Sequence, residues 1–136
     1  MTYVHISSST DLPDLAALRP FHAVLVIEDS VDSQRQFEIS KWLCESGCLY
    51  MMAWGNGCES WDDSVDLANL AAFEYAEIPD DEFVITTWHT DETLADVFGF
   101  CKHCAFHPSV DILNDIVLHL SPEACLRRLT ECYMAA

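Results

Sequence analysis

An α/β fold with a mainly parallel sheet is predicted by two features of the chain. Apolar runs of β-favouring residues alternate with segments of helical spacing, and three of the runs break off into polar and aromatic residues at the same end. The runs are Phe21 to Ile27, Cys48 to Trp54, Phe83 to Trp88 and Ile116 to Leu120. They are close to continuous, as expected of strands covered on both faces. Strand-helix alternation of this kind builds a four-stranded sheet with helices on both faces, a three-layer Rossmann-like or flavodoxin-like sandwich with right-handed crossovers. Counting these strands in chain order, the expected spatial order is 2-1-3-4, with 3-2-1-4 as the alternative.

Residues 1–20, with a Ser/Thr cluster, Pro13 and Pro20, read as an N-terminal arm with a single turn at Leu15-Ala16-Ala17-Leu18. After the first strand, Ser33 and Gln36 resemble a capping box; Phe37, Ile39, Trp42 and Leu43 follow at helical spacing, and Gly47 supplies the stop. The second strand ends at Gly55 and Gly57, which permit a tight turn. Ser60 with Asp63 repeats the capping pattern before a helix from about Trp61 to Phe73. Asp80-Asp81-Glu82 is a solvated acidic turn ahead of the third strand. A helix from Asp91 to Cys104 then buries Leu94, Val97, Phe98 and Cys101 on one stripe. Past Phe106-His107-Pro108 comes the fourth strand. Ser121 is expected to cap the last helix, with Pro122 at its first position and Leu126, Leu129 and Tyr133 lining it. One domain over residues 1–136 accommodates all of this, with no internal repeat and no low-complexity linker.

Charge excludes more than it identifies. Six Lys plus Arg against 23 Asp plus Glu give a net charge of −17. From Trp42 to Cys101 there is no Lys or Arg, while the same interval holds 13 acids. Such a surface repels phosphate backbones and anionic lipid, whose binding relies on cationic side chains. Direct nucleic-acid binding and membrane-surface binding are therefore disfavoured. No apolar run approaches the roughly 20 residues that cross a bilayer, and the N-terminus lacks the pattern of a signal peptide. A cytoplasmic protein is expected, its seven cysteines reduced.

The segments Cys48-Leu49-Tyr50-Met51-Met52-Ala53-Trp54-Gly55, Ser60-Trp61-Asp62-Asp63-Ser64-Val65-Asp66, Thr86-Thr87-Trp88-His89 and Ala105-Phe106-His107-Pro108 resemble an uncharacterised family of small bacterial domains. The resemblance covers roughly Pro20 to Ser121. It implies a bacterial source and an intact domain, and it carries no activity.

Parallel strands would gather their C-terminal loops on one edge, where open α/β sheets bind ligands. His89 there, with Asp91 and Glu92 close behind, is the catalytic candidate, a general base whose tautomer an acid fixes. Alternatively, Asp91 and Glu92 occupy the first turn of a helix because acids favour its positive end. Asp29, Asp62, Asp63 and Asp91 are hard oxygen ligands that would suit magnesium or calcium, although no cofactor is required. Cys101-Lys102-His103-Cys104-Ala105-Phe106-His107 superficially suits zinc, but these residues cannot all face one ion from a single helix. Cys58 with His89 is a conceivable nucleophile pair. The receiver-domain reading fails for want of a strand-end lysine, and Gly55-Asn56-Gly57 lacks the third glycine and basic residue of a phosphate cradle. Trp54, Trp61 and Trp88, with Asp29, Asp62 and Asp63, form an acidic aromatic edge suited to a cationic partner, unless the tryptophans merely close the core. The expected function is an acidic binding or regulatory module, of bacterial accessory or immunity type, that engages a basic protein. The alternatives are a small hydrolase or metal-dependent enzyme built on His89, and mimicry of nucleic acid by the acidic surface.

Overall fold

A computed structural model describes all residues from Met1 to Ala136. Its sheet has five strands: β1 (Thr2–Ile6), β2 (Phe21–Ile27), β3 (Cys48–Gly55), β4 (Ile85–His89) and β5 (Asn114–Leu120). They lie in the order β1-β5-β2-β3-β4, and every pairing is parallel. The helices are α1 (Ser33–Ser46), α2 (Cys58–Ala72), α3 (Leu94–His103) and α4 (Leu126–Ala135).

Side chains alternate across a strand, and the core divides accordingly. Ala23, Leu25, Ile27, Met51, Ala53, Ile116 and Leu118 face α1 and α2, packing on Ile39, Leu43, Trp61 and Val65. Val24, Val26, Tyr50, Met52 and Val117 face the other way, against Leu94, Val97, Phe98 and Cys101 of α3 and Leu129 of α4. The three-layer sandwich follows from strands apolar on both faces. Leu126 does not join the stripe of the last helix and is exposed.

Three expectations are corrected. The N-terminal arm begins with a true strand: Thr2 to Ile6 pair in register with Ile116 to Leu120 and form one edge of the sheet. Among the four strands read from sequence the order is 3-2-1-4, the alternative, because β5 returns to the far side of β2 from β3. The helix starts also shift. Asp32, not Ser33, caps α1, accepting from the Arg35 backbone N–H, and Gly57 precedes α2 while the Ser60 hydroxyl donates back to its carbonyl. Thr93 and Asp96 form the capping box of α3. Ser121 and Pro122 start no helix: α4 begins at Leu126, and the Cys125 N–H takes the Tyr3 hydroxyl oxygen as its partner. The single turn at Ala16–Leu18, the acidic turn at Asp80–Glu82 and the stop at Gly47 are as read.

Candidate functional site

All five strands run in one direction, so the loops after β2, β3, β4 and β5 share an edge. Gly55 brings the first two of these loops close together. Its backbone φ is +105°, and a Cβ there would sit 2.3 Å from the Ile27 carbonyl oxygen. That oxygen instead accepts from the Asn56 N–H at 2.9 Å. Behind this contact lies a polar cleft of about 310 Å³ lined by Asp29, Ser30, Gln36, Asn56 and Ser60. Asp29 holds the Ser30 N–H at its carboxylate.

Trp54 and His89 are register partners at the ends of β3 and β4 and occupy the α3 side of the sheet. The indole N–H of Trp54 donates to the Glu92 carbonyl at 2.8 Å. His89 is buried, and its ring meets the edge of Phe100 at 5.1 Å. Its Nδ1 lies 2.8 Å from a Glu92 carboxylate oxygen and its Nε2 lies 2.9 Å from the Thr87 hydroxyl. With Nδ1–H donating to the carboxylate, Nε2 accepts from the hydroxyl, so both ring nitrogens have partners within the β4 end and the loop behind it. The arrangement pins the loop between β4 and α3. Asp91 and Glu92 precede that helix and do not occupy its first turn, and Asp91 is exposed at a left-handed φ of 59°.

The other face of β4 is different in character. Thr86 donates to Asp66 of α2 at 2.6 Å, and alternation places Trp88 on the same face, two residues nearer the rim. Trp88 is 47% exposed. Along α2, Glu59, Asp62, Asp63 and Asp66 fall at the spacing that puts side chains on adjoining faces of a helix. None of the seven ion pairs of the molecule involves any of them. Asp62 is only 5% exposed, and its Oδ1 has no hydrogen-bond partner. Burial pushes its carboxyl above the ordinary range; Asp66, Asp63 and Glu59 push the same way, and the Thr86 hydroxyl opposes them.

Trp61 is not part of the edge. It is 3% exposed and packs with Cys58 and Val65 beneath α2. The apolar spacing 58, 61, 65, 68 along α2 carried that signal, since it marks the stripe that faces the sheet. Cys58 lies in this layer while His89 is on the opposite face, so the two form no nucleophile pair. Asp29, Asp62, Asp63 and Asp91 do not converge as a magnesium or calcium site; the only cluster of ligand-type atoms joins His22, Cys101 and Asp115. Within the zinc-like stretch Cys101 is buried, whereas His103 and Cys104 are exposed and His107 Nε2 is held at the Phe83 carbonyl.

Sequence reasoning missed a network where the strand order reverses, between the ends of β2 and β5. His119 is 1% exposed. Its Nδ1 accepts from the Tyr3 hydroxyl at 2.7 Å and its Nε2 faces a Glu28 carboxylate oxygen, which Arg128 also contacts. Burial holds His119 below its usual range despite the carboxylate beside it. Burial works against Glu28 ionisation, but the bonds from His119 and Arg128 outweigh it and keep the carboxyl low. The two directions fit a neutral imidazole donating from Nε2 to a carboxylate whose charge Arg128 balances. The signal was a histidine inside an apolar strand, which cannot stay buried without partners.

No curated protein and no solved structure matches the chain. A family model described as "Domain of unknown function (DUF7684)" matches residues 1–136, a longer span than Pro20 to Ser121. The α/β domain with its acidic α2 flank thus belongs, over its whole length, to this family of unknown function.

Proposed function

We propose that this chain is an acidic binding module that engages a basic protein partner through α2 and the rim of β4, with Trp88, Asp62 and Asp63 at the centre of the contact. One observation carries the reading: four carboxylates on α2 stand without a cationic partner beside an exposed tryptophan, and one of them has a buried, unsatisfied oxygen. Like charges three and four residues apart destabilise a helix by roughly 0.2–0.5 kcal/mol per pair. An arriving Lys or Arg relieves that repulsion, offsets the charge of the partly desolvated Asp62 and packs its cation on the indole. Long-range attraction to the net charge would speed the encounter and make it sensitive to salt. The hydrolase alternative has less support, because His89 is buried and lines none of the larger clefts.

The test is titration of an arginine-rich peptide followed by tryptophan fluorescence. Trp88→Ala and the pair Asp62→Asn with Asp63→Asn are each expected to weaken binding at least about tenfold, the scale of an interface anchor. The pair Glu77→Gln with Glu123→Gln, which removes the same charge at exposed sites elsewhere, should weaken it far less. Equal losses in both pairs would reduce the effect to net charge and refute the localised site.

Asp62→Asn should also stabilise the free protein. The folded state binds the Asp62 proton more tightly than the unfolded state, so this residue costs stability as pH rises past the ordinary value of 3.8. Removing the charge is expected to add about 0.5–1 kcal/mol at neutral pH. That gain should fade below pH 3.8, where both states are protonated. Urea unfolding at several pH values measures it, and a loss of stability at neutral pH would contradict it.

A further inference from the structure

At the N-terminal ends of the strands, His22 of β2 and Asp115 of β5 are register partners, and Cys101 of α3 closes over them. One ligand atom from each of the three lies within 4.8 Å of the other two. We propose that His22 Nδ1, Cys101 Sγ and Asp115 form a zinc site whose fourth coordination position opens into the adjoining cleft.

The surroundings are built as a ligand shell requires. Nε2 of His22 donates its proton to the Ala105 carbonyl at 2.7 Å, which leaves Nδ1 directed at the cluster. A metal-bound histidine characteristically gives its second N–H to such a carbonyl. Tyr133 donates to Asp115 Oδ2 at 2.5 Å, fixing the carboxylate and leaving Oδ1, 2.8 Å from Nδ1, on the cluster side. His22 and Cys101 are 7% and 3% exposed, so the donors are shielded and held by packing. A cleft of about 300 Å³ lined by both residues with Phe106, Val110 and Leu113 supplies the way in.

The donor set selects the ion. A thiolate with an imidazole favours zinc or cobalt over magnesium or calcium, which take all-oxygen shells. Bonds of about 2.0–2.3 Å in a tetrahedron put ligand atoms roughly 3.3–3.7 Å apart. The cluster therefore needs only a small opening between Nδ1 and Oδ1. In the metal-free protein both ring nitrogens of His22 donate, Nε2 to Ala105 and Nδ1 to Asp115, so binding releases two protons to water, one from Nδ1 and one from the Cys101 thiol. Thiolate and carboxylate together balance the two positive charges. The open position takes a water from the cleft or a small anionic ligand in its place.

Cobalt(II) reports on the site directly, because a thiolate ligand gives a charge-transfer band in the near ultraviolet. The full chain, stripped with chelator and kept reduced, should bind one equivalent of cobalt with that band, and zinc should displace it. Cys101→Ser should abolish the band, and Asp115→Asn should weaken binding at least about tenfold; far-ultraviolet circular dichroism reports that each variant is folded. Cys104→Ser, which alters an exposed cysteine nearby, should leave the band intact. Weak binding of several equivalents without the band is an adventitious ion only and overturns the site. A band that survives Cys101→Ser overturns it equally.

Discussion

Gly55→Ala is expected to destabilise the protein by about 3 kcal/mol or more, because the change combines a backbone clash with a forbidden conformation. The added Cβ would lie 2.3 Å from the Ile27 oxygen and 3.1 Å from its carbon, both backbone atoms that no rotamer can move aside. A φ of +105° adds strain that an alanine cannot relieve locally. The only accommodation is to part β2 from β3 at the rim, which breaks the Asn56 to Ile27 hydrogen bond and opens the polar cleft beside Asp29. Gly99→Ala is the control. It lies within α3 with nothing inside 4 Å of its would-be Cβ, and should gain roughly 0.5–1 kcal/mol from helix propensity. Urea midpoints for the two variants should move in opposite directions; equal shifts would contradict this account of the turn.

His119→Ala is expected to cost about 2–4 kcal/mol, since it leaves a void and strips partners from buried polar groups. The Tyr3 hydroxyl loses its acceptor, which loosens the chain linking β1 through Cys125 to the start of α4. Glu28 loses one of the two donors that hold it charged. The pH dependence follows from the same bonds. His119 titrates below 6.5 in the folded protein, so the unfolded state takes up the proton first and stability falls as pH drops below 6.5. Glu28 adds a further loss as pH drops below its ordinary 4.5, because its folded value is also lowered. The His119 contribution is complete above 6.5; His22, where burial is outweighed by the bonds to Asp115 and Ala105 and the value is raised, contributes in the opposite sense, fully below 6.5 and less as pH rises. The alanine variant should lose the His119 part of the slope between these two values, so that its stability falls less with falling pH than the parent's; urea unfolding over that range measures it, and an unchanged slope would place the coupling elsewhere.

Legibility in the sequence tracked the range of the physics involved. Phe21 to Ile27 and Ile116 to Leu120 announce themselves because a strand buried on both faces must be apolar at nearly every position. Thr2 to Ile6 does not, because it lies at the sheet edge, is mostly half-buried, and finds its partner more than a hundred residues away. The start of α4 was misplaced for a related reason. Ser121-Pro122 is a good local start signal, yet the first free N–H is satisfied by Tyr3 from the other end of the chain, which no local pattern encodes. At the rim, parallel strands correctly implied that Trp54 and His89 meet. What each does there depended on partners beyond the motif: Glu92 and Thr87 hold the imidazole, and the core takes Trp61. The acids of α2 were visible as a charge run. Only the structure shows that they lack cations and that Asp62 is buried.

Residue-by-residue amide shifts during titration with a basic peptide test the proposed binding surface most directly. Shifts that saturate and concentrate on residues 59–66 and 85–89 are the expected result. Shifts centred on α4, or scattered evenly over every acidic segment, would contradict a binding surface at Trp88 and α2.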